Sequence, residues 1–129
     1  QANINDWSCD DDYASLLEVM QHAKPTILVG VSGQAGLFNE TLITTMFAHC
    51  ERPIIFPLSN PSKKIEATPQ QLLEWTNGQA IIATGSPFEP VELNGKHYPI
   101  PQCNNSYIFP AFGLAVIAGK ISKITDLPW

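Results

Sequence analysis

Uncharged amides and small hydroxyls occur in this chain at the places where α/β proteins bind ligands. In Gln102-Cys103-Asn104-Asn105-Ser106-Tyr107-Ile108-Phe109-Pro110, an Asn-Asn pair stands just ahead of the apolar run 107–118. A helix N-terminus begins there, and its free backbone N–H groups favour anions. Upstream, Leu58-Ser59-Asn60-Pro61 supplies another amide, and Gly30-Val31-Ser32-Gly33 and Thr84-Gly85-Ser86-Pro87 also close apolar runs. An amide offers donors and an acceptor without net charge, so it can hold a carboxylate oxygen or a carboxamide. Gly, Ser, Asn and Pro are also good turn residues, and for any one loop that explanation suffices. Three such loops at the ends of three strands predict a crevice, because open α/β sheets bind ligands outside the carboxyl ends of their strands.

The elements that position these loops follow from apolar spacing. Leu16, Leu17, Val19, Met20 and Ala23 form an i, i+3, i+4, i+7 stripe that predicts a helix over 13–23, closed by Pro25. The continuous apolar run 26–31 reads as a strand buried on both faces of a parallel sheet. Asn39 can cap a second helix reaching His49, and 52–57 is the next buried strand. Thr68-Pro69-Gln70-Gln71 has a capping-box arrangement and predicts a third helix to about Trp75. A third strand over 80–84 ends at Gly85. Helix and strand alternate with short loops, which predicts βαβ crossovers and a parallel sheet. Asn94-Gly95 reads as a two-residue hairpin turn that decorates the sheet, and 107–118 reads as a core helix.

Composition excludes several classes of function. With 129 residues, 44% of them hydrophobic and 15% charged, the chain suits one soluble domain with a real core. Its longest apolar stretch contains Pro110 and Gly113 and is too short to span a bilayer, so no membrane partner is expected. A net charge of −5 with seven scattered Lys and Arg argues against nucleic acid. Cys9, Cys50 and Cys103 form no CxxC pair, and with no signal-peptide pattern they fit reduced thiols in a cytoplasm. His22, His49 and His97 are scattered and make no zinc site. Asp10-Asp11-Asp12 reads as a solvated acidic lead-in, and Tyr107 as core. Gln1 at the start and Trp129 at the end lead us to expect a piece of a longer protein.

Gly30, Gly33 and Gly36 are three apart, so neither the dinucleotide fingerprint G-x-G-x-x-G nor the phosphate loop is met. A dinucleotide would have its pyrophosphate held elsewhere, with these loops facing the ribose and nicotinamide.

Four ordered motifs carry a family resemblance: Gly30-Val31-Ser32-Gly33-Gln34, Glu51-Arg52-Pro53-Ile54-Ile55-Phe56-Pro57-Leu58-Ser59-Asn60-Pro61, Ala83-Thr84-Gly85-Ser86-Pro87-Phe88, and the stretch from Gln102 to Pro110 quoted above. Together they resemble the cofactor-binding domain of malic enzymes, closest to the bacterial NAD-dependent type, over 13–126. The resemblance implies an α/β, partial Rossmann-like three-layer fold with a parallel sheet, the distal half of a dinucleotide-binding domain, with 1–129 a fragment of it. It implies oxidative decarboxylation of (S)-malate to pyruvate and CO2 with reduction of NAD, NADP remaining open, assisted by Mg or Mn. Matched motif by motif, Gly30, Val31, Ser32, Ser59 and Gly85 line the cofactor, while Asn60, Asn104 and Asn105 contact malate and nicotinamide. The family's metal-binding acids, general-base lysine and general-acid tyrosine lie N-terminal to this region, so no catalytic or metal-binding residue is carried over and the fragment is expected to be inactive alone. Family members are commonly dimers or tetramers. One departure is Ala111 after Pro110, where the family usually has glycine. Two other readings stay open: a malolactic enzyme, which keeps NAD bound and yields lactate, and a noncatalytic nucleotide-sensing α/β module.

Overall fold

The computed structural model describes residues 14–120. Helix α1 (Leu16–Ala23) starts at Ser15, whose hydroxyl accepts from the Glu18 N–H at 3.2 Å while the Glu18 carboxylate accepts from the Ser15 N–H at 2.7 Å. This reciprocal cap sets the start three residues after the point where the apolar stripe alone placed it. Lys24 turns left-handed at φ 45° and Pro25 follows, which ends the helix. Strand β1 (Ile27–Gly30) leads to α2 (Glu40–His49), capped by Asn39 through its Oδ1, which accepts from the Leu42 N–H at 3.0 Å. Strand β2 (Ile54–Pro57) is followed by α3 (Pro69–Trp75), where Thr68 and Gln71 form the expected box and Pro69 takes the first helical position. Each such cap is worth about 1 kcal/mol.

Strand β3 is only Ile81–Ile82, shorter than the apolar run around it. The sheet order is β1-β2-β3, all parallel, as the alternation of elements predicted. Rows across it run Ile27, Ile54, Ile81 on one face and Leu28, Ile55, Ile82 on the other. The second row meets Met20 of α1, Leu42, Ile43 and Met46 of α2, and Leu72 and Leu73 of α3, and this is the core.

The opposite face differs from the expectation of strands covered on both sides. Ile27, Val29 and Ile81 are exposed by 56%, 50% and 39%. An apolar run signals that a strand will be covered but does not supply the cover, and no described element lies over this row.

Strands β4 (Val91–Leu93) and β5 (Lys96–Tyr98) form a separate antiparallel hairpin, turned by Asn94 and Gly95 at φ 52° and 73°. Its Val91 joins the core. Helix α4 (Ile108–Ala118) follows a 3-10 turn at Asn105–Tyr107. Here two expectations are corrected. Tyr107 is not core, being 62% exposed, and α4 is not a buried helix, since Leu114 and Ile117 are 67% and 76% exposed. Among the described residues no helix is long and apolar enough to cross a membrane. Cys9 and Asp10-Asp11-Asp12 lie outside the described residues.

The row left uncovered and the β1 edge left unpaired among the described residues give a direct expectation for the 129-residue chain expressed alone. It should self-associate and bind an apolar dye; a monodisperse monomer by light scattering would contradict this.

Candidate functional site

The parallel register sets the three strand-end loops side by side. Gly30 lies opposite Pro57, and the Leu58 N–H donates to the Gly30 carbonyl at 2.8 Å. The Gly85 N–H donates to the Pro57 carbonyl at 3.3 Å, which brings in the third loop. A parallel bridge between Thr84 and Gln102 then adds the amide-rich stretch: Thr84 donates to Pro101 at 3.1 Å and Cys103 to Thr84 at 2.8 Å. All four motifs thus meet along one sheet edge, and a cavity of about 300 Å³ opens there, lined by Val31, Ser32, Gly33, Leu58, Ser59 and Asn60.

Two of these loops are tied together by a residue that sequence reasoning missed. Glu66 is fully buried, at 0% exposure. Its Oε1 accepts from the Ser32 N–H at 2.8 Å, the Ser32 hydroxyl at 2.8 Å and the Ser59 hydroxyl at 2.5 Å. Ser59 Oγ in turn accepts from the Gly33 N–H at 2.8 Å. Oε2 is buried without a hydrogen-bond partner among the described residues. A signal was present in the sequence: a lone acid between Ile65 and Ala67, both of which prove to be buried, just ahead of the Thr68 cap. Burial pushes the Glu66 carboxyl up, but the hydrogen bonds from Ser59 and Ser32 outweigh it and hold the group below the ordinary 4.5.

Two glycines make the close approach workable. A Cβ on Gly30 would lie 2.6 Å from Glu66 Cδ and 2.8 Å from its Oε2, so the carboxylate occupies the space that a side chain would need. A Cβ on Gly85 would lie 2.1 Å from the Leu58 carbonyl oxygen. Both glycines are buried beneath the loops, while Val31, Ser32 and Asn60 are exposed and Ser59 is 6% exposed.

Asn60 and Asn104 converge on Gly85. Asn104 Nδ2 donates to the Gly85 carbonyl at 3.1 Å, and Asn60 Nδ2 lies 3.1 Å from where a Gly85 Cβ would stand. Both amide oxygens are engaged: Asn104 Oδ1 accepts from the Ser106 N–H at 2.9 Å, and Asn60 Oδ1 accepts from the Ser86 hydroxyl. Each amide therefore keeps an N–H without a partner among the described residues, and each oxygen, with one of its two lone pairs engaged, can still accept. Asn105 opens the 3-10 turn, and Ala111 lies within α4. No group of three or more His, Cys, Asp or Glu among the described residues could hold a metal ion.

The family model described as malic enzyme, NAD binding domain, matches residues 1–127. The chain belongs to the malic enzyme family. It is 66% identical over 123 residues to the NAD-dependent malic enzyme of Colwellia psychrerythraea, covering 95% of this chain and 22% of that protein. The NAD-dependent malic enzymes of Aeromonas hydrophila and Aliivibrio fischeri are 61% identical over 123 residues and 57% over 124, covering 95% and 96% of this chain and again 22% of each relative. The chain thus spans about a fifth of the length of these relatives. As part of a malic enzyme NAD-binding domain, the crevice fits its cofactor in kind: an open cavity at strand carboxyl ends, with exposed loop backbone and spare amide donors.

Two outcomes follow from this geometry. Gly85→Ala should destabilise the folded protein by roughly 1–3 kcal/mol through overpacking against Leu58, measurable by denaturant titration. A carboxyl held low in the folded state contributes stability above its ordinary range and loses it as pH falls through its folded value. Melting temperature should therefore drop on acidification below about pH 4.5, and Glu66→Gln should flatten that drop while starting lower at neutral pH. Parallel acid limbs for the two proteins would contradict the assignment.

Proposed function

We propose that this chain is part of the cofactor-binding domain of a malic enzyme that converts (S)-malate and NAD to pyruvate, CO2 and NADH, with Mg or Mn bound elsewhere in the parent protein. The observation that carries the reading is the pairing of Asn60 and Asn104 about Gly85, each with an N–H left over among the described residues and Asn60 in the cavity lining. Such donors suit the carboxylate oxygens of malate and the carboxamide oxygen of nicotinamide, and they add no charge to perturb a neighbouring proton transfer. When bound, NAD supplies the acceptor for the hydride that leaves the malate carbinol carbon.

In this reading Val31, Ser32 and Ser59 form the cofactor-facing edge, Gly30 and Gly85, expected to line the cofactor, lie buried beneath it and let the loops approach, and Asn60, Asn104 and Asn105 orient the malate and the nicotinamide. The names of the relatives favour NAD over NADP. The chain alone, residues 1–129, is proposed to be catalytically inactive, because none of its lysines or tyrosines falls in a proton-transfer motif. Cys50 and Cys103 are free thiols, in keeping with a cytoplasmic parent protein, and the parent is read as a homo-oligomer on the family's habit.

The full-length parent protein, incubated with (S)-malate, Mn and NAD, should yield pyruvate and NADH in equal amounts. Lactate without net NADH would move the assignment to malolactic chemistry, and no turnover with NAD or NADP would overturn it. In that same protein, Asn60→Ala should cost roughly 1–3 kcal/mol in kcat/KM for malate, the penalty of a lost charge-assisted donor. Unchanged parameters would remove Asn60 from the site.

A further inference from the structure

We propose that Glu66 is a positioning residue for the dinucleotide: its carboxylate clamps the loops after β1 and β2 together and so sets the shape of the crevice between them. The inference rests on the cofactor-site reading above and extends it to a residue that lies outside the crevice lining.

The geometry separates a clamp from ordinary packing. Glu66 leaves the chain between β2 and α3 and reaches Ser32 across 34 positions of sequence, whereas Ser59 lies seven positions before it. Both serines line the cavity, and Glu66 does not. One oxygen atom collects three donors from the two loops, and Ser59 relays the connection to the Gly33 N–H. Without the carboxylate, the Ser32 N–H and both hydroxyls would lose their shared acceptor. The exposed segment from Val31 to Gln34 would then be held by its strand at one end, by the Gly36 and Leu37 turn contacts at the other, and across to the second loop by the Gly33 N–H to Ser59 Oγ bond.

Stability alone does not account for this arrangement. A fully buried carboxylate whose Oε2 has no partner among the described residues is unfavourable, and replacing it together with its two serine partners by apolar side chains of similar volume would fill the same space at no greater cost. Gly30 must also stay without a side chain to admit Glu66 Cδ and Oε2. Buried, incompletely satisfied polar groups are expected where a site's shape is being held rather than where a core is being filled. What is held here is the pair of loops on which the cofactor would lie.

The test uses the full-length protein, first without nucleotide. By hydrogen–deuterium exchange, the Ser32 and Gly33 amides should exchange at least about tenfold more slowly than that of Ala35, although all three residues are exposed. Fast exchange at both amides in the wild-type protein would overturn the clamp whatever any variant does. Glu66→Gln keeps the shape and removes the charge; Glu66→Asp keeps the charge and withdraws it by one methylene. In either, protection at Ser32 and Gly33 should fall, and the dissociation constant for NAD, titrated at a temperature where the variant is folded, should rise about tenfold. In the double variant with Ser32→Ala, the two effects on NAD affinity should be less than additive, since the bond from the Ser32 hydroxyl to the carboxylate is common to both. A lowered melting temperature with unchanged NAD affinity and loop protection would make Glu66 merely structural and overturn the proposal. If wild-type protein binds NAD but does not oxidise malate, the functional reading fails while the clamp is still decided by exchange and affinity.

Discussion

The parallel pairing of three short strands is the constraint on which everything else in this chain depends. Parallel neighbours bring like ends together, so the loops after Gly30, Pro57 and Ile82 must emerge along one edge. The same register gives the sheet its two faces, because Leu28, Ile55 and Ile82 align in one row and can be covered by α1, α2 and α3 at once. The bridge from Thr84 to Gln102 extends the edge without a full strand and delivers Asn104 to the Gly85 carbonyl, beside the loop that carries Ser59 and Asn60. A slip of one residue would turn Leu28 or Ile55 out of the core and carry the loops out of alignment.

Polar contacts then fix what the sheet has gathered. Buried Glu66, Thr84 and Ser86 would each be unfavourable in isolation; Glu66 and Ser86 are held from a neighbouring loop, and the Thr84 hydroxyl within its own. Ser86 reaches Asn60 and Glu66 reaches Ser32 and Ser59, so the three strand-end loops are braced to one another. Bracing of this kind suits a surface that must present N–H groups in fixed positions before a ligand arrives.

The uncovered face of the sheet and the exposed apolar side chains of α4 have one physical meaning. Ile27, Val29, Leu114 and Ile117 have the composition of buried residues and the exposure of surface ones. In a chain that spans 22% of its relatives' length, apolar surface of this extent is what a sheet presents when the described residues supply one of its covers. Local chemistry can set the strand, the cap and the turn, but burial needs a second surface.

What the sequence by itself determined was local or periodic: the helix caps at Asn39 and Thr68, the Asn94-Gly95 turn, the alternation of helix and strand, and the motifs that pointed to the family. These depend on contacts within a few residues, or on a repeat of 3.6 or 2, and so can be read along a line. The start of α1 was equally local, but an apolar stripe marks a helix's face more clearly than its first residue. Only the tertiary structure decided that Glu66 joins Ser32 to Ser59, that Gly30 and Gly85 are small because a carboxylate and a carbonyl stand against them, and that the oxygens of Asn60 and Asn104 are already engaged. Those contacts join residues far apart in the chain, and the type of a residue does not reveal which distant partner the fold will bring to it.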